Sequence, residues 1–248
     1  MMVETFALTK EEHVKLETID RREMLNLLSM LGAMGAVSLL LGGCAPVTLC
    51  SGVRKVTGEV LINGQRITFK QLTATGKLKV PNDASLSTGS DGSAIFVVGK
   101  DAFLLHKNSR VVLTPAASTK PNEISGFQLS FGAILSVFAR GKRMLRTPTA
   151  VIAIRGTGAY LESDSEKTYI CTCYGTSHLQ IKETPGITET VTTQHHEAPR
   201  FIYAAEKRIA PAPMFNHSDQ ELMMLEELVG RVPPFLKSDG SVRDEYEY

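Results

Sequence analysis

The chain has no tryptophan and no excess of either charge: 27 Lys and Arg stand against 26 Asp and Glu, a formal charge of +1 over 248 residues. With that balance there is no electrostatic reason to expect DNA or RNA as a partner. Also missing are a GxSxG elbow, a glycine-rich phosphate loop, an HExxH pair and paired carboxylates set apart in apolar surroundings. An enzyme is therefore not expected, unless it works through a redox-active thiol or a metal. What is present, 43% apolar and 21% charged residues, describes a foldable chain and not a disordered one. The length suits one folded unit with appendages.

The front of the sequence differs from the rest. A polar lead reaches Asp20-Arg21-Arg22-Glu23, and an apolar stretch interrupted only by Ser, Gly and Asn follows to Leu41. That is the order of an export signal, a charged region followed by an apolar one. The apolar run is short of the roughly 20 residues needed to span a bilayer. It ends in Leu41-Gly42-Gly43-Cys44, which resembles a bacterial lipobox, with Cys44 as the lipidated residue. Arg21 and Arg22 with a moderately apolar run resemble a twin-arginine signal, although Met24 and Asn26 depart from its usual pattern. Residues 1–43 are thus expected to be an export signal and 44–51 a tether. The product is expected in the bacterial cell envelope, facing the periplasm and held to the membrane, the outer one favoured, by the lipid on Cys44.

From residue 52 to about 185, turn signals recur every 8–12 residues, at Asn63-Gly64, Gly76, Asn82-Asp83, Asp91-Gly92, Gly99-Lys100 and Lys107-Asn108. Between them lie β-branched runs: 56–62, 94–98, 103–106, 110–114, 133–138, 151–154 and 168–174. No helical period survives there, so the stretch predicts an all-β domain. Sandwich, barrel and roll share this local signature.

Arg146-Thr147-Pro148, the following apolar run and Arg155-Gly156-Thr157, preceded by Gly76 and by Leu86-Ser87-Thr88-Gly89-Ser90-Asp91-Gly92-Ser93, resemble the FecR domain. That domain is the periplasmic sensory part of iron-dicitrate-type signal transducers. The resemblance covers residues 52–181 and implies a twisted β-roll or solenoid. Thr147, Pro148, Arg155, Gly156 and Thr157 are then mainly architectural: Pro148 fixes φ at a strand entry, Gly156 permits a bend, and Arg155 offers five donors to tie neighbouring turns. Transducers of that family carry a cytoplasmic sigma-factor-binding domain, for which the few residues before Arg21 leave no room. The expected function is a tethered ligand- or protein-binding module, sensory or scaffolding, with an envelope protein as partner. A structural lipoprotein of an envelope assembly and a metal or thiol redox protein are the alternatives.

With Cys44 used by the anchor, Cys50, Cys171 and Cys173 remain, an odd number where disulfides form. On a strand, Tyr169, Cys171 and Cys173 share a face. Two thiolates together suit zinc, copper or iron, with His195, His196 and His217 as candidate further ligands. The spacing fits no standard zinc motif, and adjacent histidines on a strand point to opposite faces. The cysteines are otherwise small core residues, or one pairs with Cys50.

Residues 186–235 are expected to form a C-terminal extension. Pro199 to Tyr203 reads as a last strand and Ala210-Pro211-Ala212-Pro213 as an extended linker. Ser218-Asp219-Gln220-Glu221 is a capping box, and Gly230 sits where a terminating glycine belongs, giving a helix over 218–229. The tail, 236–248, is expected to be disordered.

Overall fold

The computed structural model describes residues 51–68, 78–117, 122–237 and 241–242. The export signal with Arg21 and Arg22, Cys44, Cys50, Gly76 and most of the tail lie outside the described residues. Within them run β1 (Gly52–Thr57), β2 (Val60–Ile62), β3 (Gln65–Arg66), β4 (Ser85–Thr88), β5 (Ser93–Val98), β6 (Asp101–Leu105), β7 (Arg110–Pro115), β8 (Ile124–Val137), β9 (Lys142–Arg146), β10 (Ala150–Ser163), β11 (Lys167–Ile181), β12 (Thr184–Thr193), β13 (Arg200–Tyr203), β14 (Arg208–Pro211) and α1 (Asp219–Glu227). The fold is all-β with one short C-terminal helix, and its sheet is not closed. Among the described residues no helix is long and apolar enough to cross a membrane.

Three strands are longer than their sequence suggests, at 14, 14 and 15 residues for β8, β10 and β11. Each of the first two changes partner midway. β8 pairs with β7 up to Phe131 and with β6 and β10 from Gly132 on. β10 pairs with β9 up to Arg155 and with β8 from Gly158. Gly132 and Gly156, at φ of +85° and +62°, sit at these changes, and Gly175, at +92°, lies beside Gly156 on β11 where pairing with β12 begins; the left-handed backbone that only glycine adopts freely lets the sheet fold back as a roll. Conversely, the 56–62 run is two strands. It breaks at Gly58, φ +58°, where a Cβ would lie 2.2 Å from the Asp91 carbonyl oxygen.

Side-chain alternation divides the central strands between two cores. Phe96, Val98, Phe103, Leu105, Ile134, Leu161 and Ile170 face the inside of the roll. Their neighbours Ile95, Val97, Leu104, Leu135, Val137, Tyr160, Tyr169, Cys171 and Cys173 form a second cluster with Leu222, Leu225, Val229 and Phe235 of the C-terminal segment. A sheet apolar on both faces needs a second layer, and residues 212–237 supply it. The extension is less separate than expected: β12, β13 and β14 belong to the same sheet, and Pro211 ends a strand where a linker was expected.

The motif residues sort by burial. Thr147 holds the β9–β10 turn, accepting from the Ala150 N–H at 2.9 Å, and its hydroxyl, with that of Thr149, meets Thr168 at 2.7 and 2.6 Å. Thr157 is fully buried and donates to the Thr176 carbonyl at 3.3 Å. Arg155 does not tie neighbouring turns as expected. It is exposed opposite Lys142, and its guanidinium meets no described acceptor.

Candidate metal centre

The extended backbone of β11 sets Cys171 and Cys173 on its outer face, both at 0% exposure. Neither is in a disulfide among the described residues. Two histidines come to them from the chain beyond. His195 and His196 are not on a strand; they follow the end of β12 in a bend, with His196 at φ +60°. The strand premise for the two therefore fails, although only His196 faces the sulfurs. The His196 N–H donates to the Cys173 carbonyl at 3.0 Å, which seats the imidazole against the sulfurs, with Nδ1 3.2 Å from Cys171 Sγ. His217 directly precedes Ser218, the N-cap of α1. Its ring stacks on Tyr160, centroids 4.6 Å apart and planes 10° from parallel, and its Nε2 lies 3.2 Å from His196 Nδ1.

One donor atom each from Cys171, Cys173, His196 and His217 lies within 4.8 Å of the other three. His195, also a sequence candidate, is outside this set; it meets His196 and Asp219 in a second, more exposed group. Asp219, the first residue of α1, was not anticipated. Its carboxylate accepts from His195 Nε2 at 2.9 and 3.0 Å and from His196 Nε2 at 3.1 Å. An acidic residue in a helix's first turn is already explained by capping and the helix dipole, so nothing in the sequence marked it further.

The hydrogen bonds fix which ring nitrogens are free. A carboxylate only accepts, so His196 carries its proton on Nε2; the Phe215 carbonyl likewise takes the His217 Nδ1 proton at 2.8 Å. His196 Nδ1 and His217 Nε2 then turn lone pairs toward each other and toward two sulfurs. A proton on His196 Nδ1 satisfies part of this: hydrogen bonds from Cys173, then from His196, hold the Cys171 thiol well below its ordinary value despite burial. Burial pushes the Cys173 thiol up, and Cys171 beside it adds to the rise. Burial pulls His196 down, but Cys171 and Asp219 outweigh it and its pKa is raised. In such an imidazolium–thiolate pair Cys173 keeps its proton and acts only as a donor toward Cys171. A metal cation uses all four donors. Zinc takes Cys and His ligands tetrahedrally at about 2.0–2.3 Å, and closed four-ligand sites of this type are structural. The outward N–H groups, one on a carboxylate and one on a carbonyl, are the partners that ligating histidines require. The donor set fits zinc.

The helix beside the centre is built as expected. Ser218 and Glu221 form both arms of the capping box, and the Gly230 N–H to Glu227 and Arg231 N–H to Glu226 bonds close a Schellman turn on Gly230, φ +68°. Glu226 is buried, accepts a very short hydrogen bond from the Tyr174 hydroxyl, and pairs with Arg231 Nε at 2.5 Å. Arg231 Nη1 in turn donates to the Lys100 carbonyl at 2.6 Å.

No family model matches the chain, and no curated protein matches it; the FecR resemblance stands on its motif residues. Two crystal structures of a "putative anti-sigma factor" from Parabacteroides distasonis ATCC 8503 are similar to it in part. The 1.65 Å structure aligns with 57% of this chain and 64% of its own at 11% identity, with a TM-score of 0.43. The 2.50 Å structure aligns with 66% and 82% at 12% identity and 0.42. This chain thus spans less than two thirds of the first.

Proposed function

We propose that this chain is a non-enzymatic binding module of the bacterial envelope, tethered by a lipid on Cys44, in which Cys171, Cys173, His196 and His217 hold one zinc ion. The observation that supports the metal is the convergence of four donors with both imidazole N–H groups turned outward. The ion's role is structural. All four side chains are buried or nearly so, and a closed site has no open position for a substrate or water. Cys171, His196 and Asp219 also line up as nucleophile, base and orienting carboxylate, but a sulfur at 0% exposure offers no approach to a reactant. The tether and the FecR resemblance support a module that presents its surface to an envelope protein.

Elemental analysis tests the metal directly. The full chain, expressed with its export signal and purified in detergent without a metal-affinity tag, is expected to carry about one zinc per chain. The Cys171→Ser, Cys173→Ser double variant is expected to carry none. An empty wild-type protein, or equal metal in both, removes the proposal; copper or iron in place of zinc reassigns the ion. Acyl-chain mass on the mature N-terminus tests the tether separately.

A further inference from the structure

We infer that the metal is a latch: its presence fixes residues 212–237 over the outer face of the roll, and its loss releases them. The inference rests on the zinc reading above and concerns what the ion controls.

The four ligands come from two mechanical parts. Cys171 and Cys173 sit in the middle of β11, hydrogen-bonded to β10 on one side and, around residues 167–170, to β13 on the other. His217 belongs to the segment that leaves β14 and enters α1, and His196 is in the bend between β12 and β13. An ion bound to all four crosses the seam between roll and cover. Asp219 reinforces it, since the first residue of α1 grips the outer nitrogen of a ligand carried by the other part.

The cover does not hold its shape alone. α1 has nine residues, fewer than an isolated helix needs to persist in water. It keeps its shape by laying Leu222 and Leu225, followed by Val229 and Phe235, on Ile95, Val97, Leu104, Leu135 and Val137. It is also attached by hydrogen bonds, Tyr169 to the Pro213 carbonyl at 3.0 Å, the Ala212 N–H to the Pro199 carbonyl at 3.0 Å, Asn216 to Glu162 at 3.1 Å, Tyr174 to Glu226, Arg231 to the Lys100 carbonyl and Asp219 to His195 and His196, and by the rings of Phe215 on Tyr169 and His217 on Tyr160. Without the ion, a proton shared around His196 Nδ1, 3.2 Å from both Cys171 Sγ and His217 Nε2, and the thiol protons are all that hold two imidazoles and two sulfurs together in a buried site. Moving His217 away, and the cover with it, is the direct way to solvate them. Coupling is reciprocal: whatever the ion adds to the cover's attachment, the attached cover adds to the ion's affinity.

Hydrogen exchange read by mass spectrometry on the full chain decides this, comparing zinc-loaded protein with protein stripped by a chelator, metal content being measured on the same samples. Peptides within 212–237 are expected to exchange about tenfold faster or more after stripping, while peptides from β4 and β7, remote from the centre, keep their rates. Unchanged protection of 212–237 in verified metal-free protein overturns the latch and leaves the zinc reading standing. Untreated protein without metal removes both. Leu225→Ala, which removes no ligand, is the reciprocal arm: zinc affinity is expected to fall severalfold, and an unchanged affinity counts against the coupling. If β4 and β7 peptides also lose protection in that variant, it has unfolded, and the wild-type comparison alone decides.

Discussion

Asp219 accepts from the outer nitrogens of two imidazoles, and of these only His196 faces the sulfurs. Replacing its carboxylate with an amide keeps the shape but leaves one accepting oxygen and turns an NH2 group toward the other ring. His196 is then free to carry its proton on Nδ1, where the ion must bind. Asp219→Asn is expected to weaken zinc binding roughly 10- to 100-fold, read by competition with a chromogenic chelator; affinity within twofold of wild type would show that the carboxylate orients nothing. A second residue-scale prediction concerns His106, whose Nε2 is buried without a partner among the described residues and whose pKa burial lowers from 6.5. The unfolded chain binds this proton at higher pH than the folded one, so stability present above pH 6.5 declines as pH falls from there toward the lowered value, and levels off below it. In His106→Phe the decline in urea midpoint between pH 7 and pH 5 is expected to be shallower; an identical slope would place the titration elsewhere. At this scale the CxC pair was legible because the strand period depends on backbone alone. His217 was a candidate by residue type only. Asp219, the partner of His195 and His196, went unseen, because bringing the start of α1 to the bend after β12 requires the path of the whole extension.

Glycines were the main obstacle to reading the elements. In sequence, Gly126, Gly132, Gly156 and Gly175 look like strand ends; in the fold they lie within β8, β10 and β11. Two of them separate strain from crowding. At Gly156, φ +62°, a Cβ would find its nearest neighbour at 3.8 Å, so only the backbone conformation opposes a side chain. Gly156→Ala is expected to cost about 1–2 kcal/mol. At Gly126 a Cβ would fall 1.8 Å from the Met144 carbonyl oxygen, on the β8–β9 parallel pairing, and the strands must part to admit it. Gly126→Ala is expected to cost more than about 3 kcal/mol. Urea unfolding of both variants checks the order, and equal losses would mean that the close approach of β9 is not constraining. The helix, by contrast, was readable nearly to the residue, because capping box and terminal glycine are local chemistry that needs no tertiary partner.

For the whole molecule, the roll carries an outer core that its own sheet cannot bury, and the chain closes it with a segment bound at one end by the proposed ion and at the other by Glu226 and Arg231. The all-β class followed from turn spacing. The apolar stripe of Leu222, Leu225 and Val229 pointed to a helix packed on the roll; which strands it covers did not follow, since β5, β6 and β11 are apolar on both faces and give no hint of it. The arrangement has a calorimetric consequence. Zinc binds the closed molecule and adds RT ln(1 + [Zn]/Kd) to the attachment of the cover, about 2.7 kcal/mol at one hundred times Kd. The roll's inner core, from Val53 to Ile202, does not touch the cover and keeps its own stability. Stripped protein is therefore expected to show a low-temperature heat absorption from release of 212–237, ahead of the main transition. Added zinc is expected to move that first event up until it merges with the second, with the main midpoint changing less. Identical thermograms with and without the ion would mean that the cover is held by its apolar contacts alone and that the metal, where present, only occupies a site already formed.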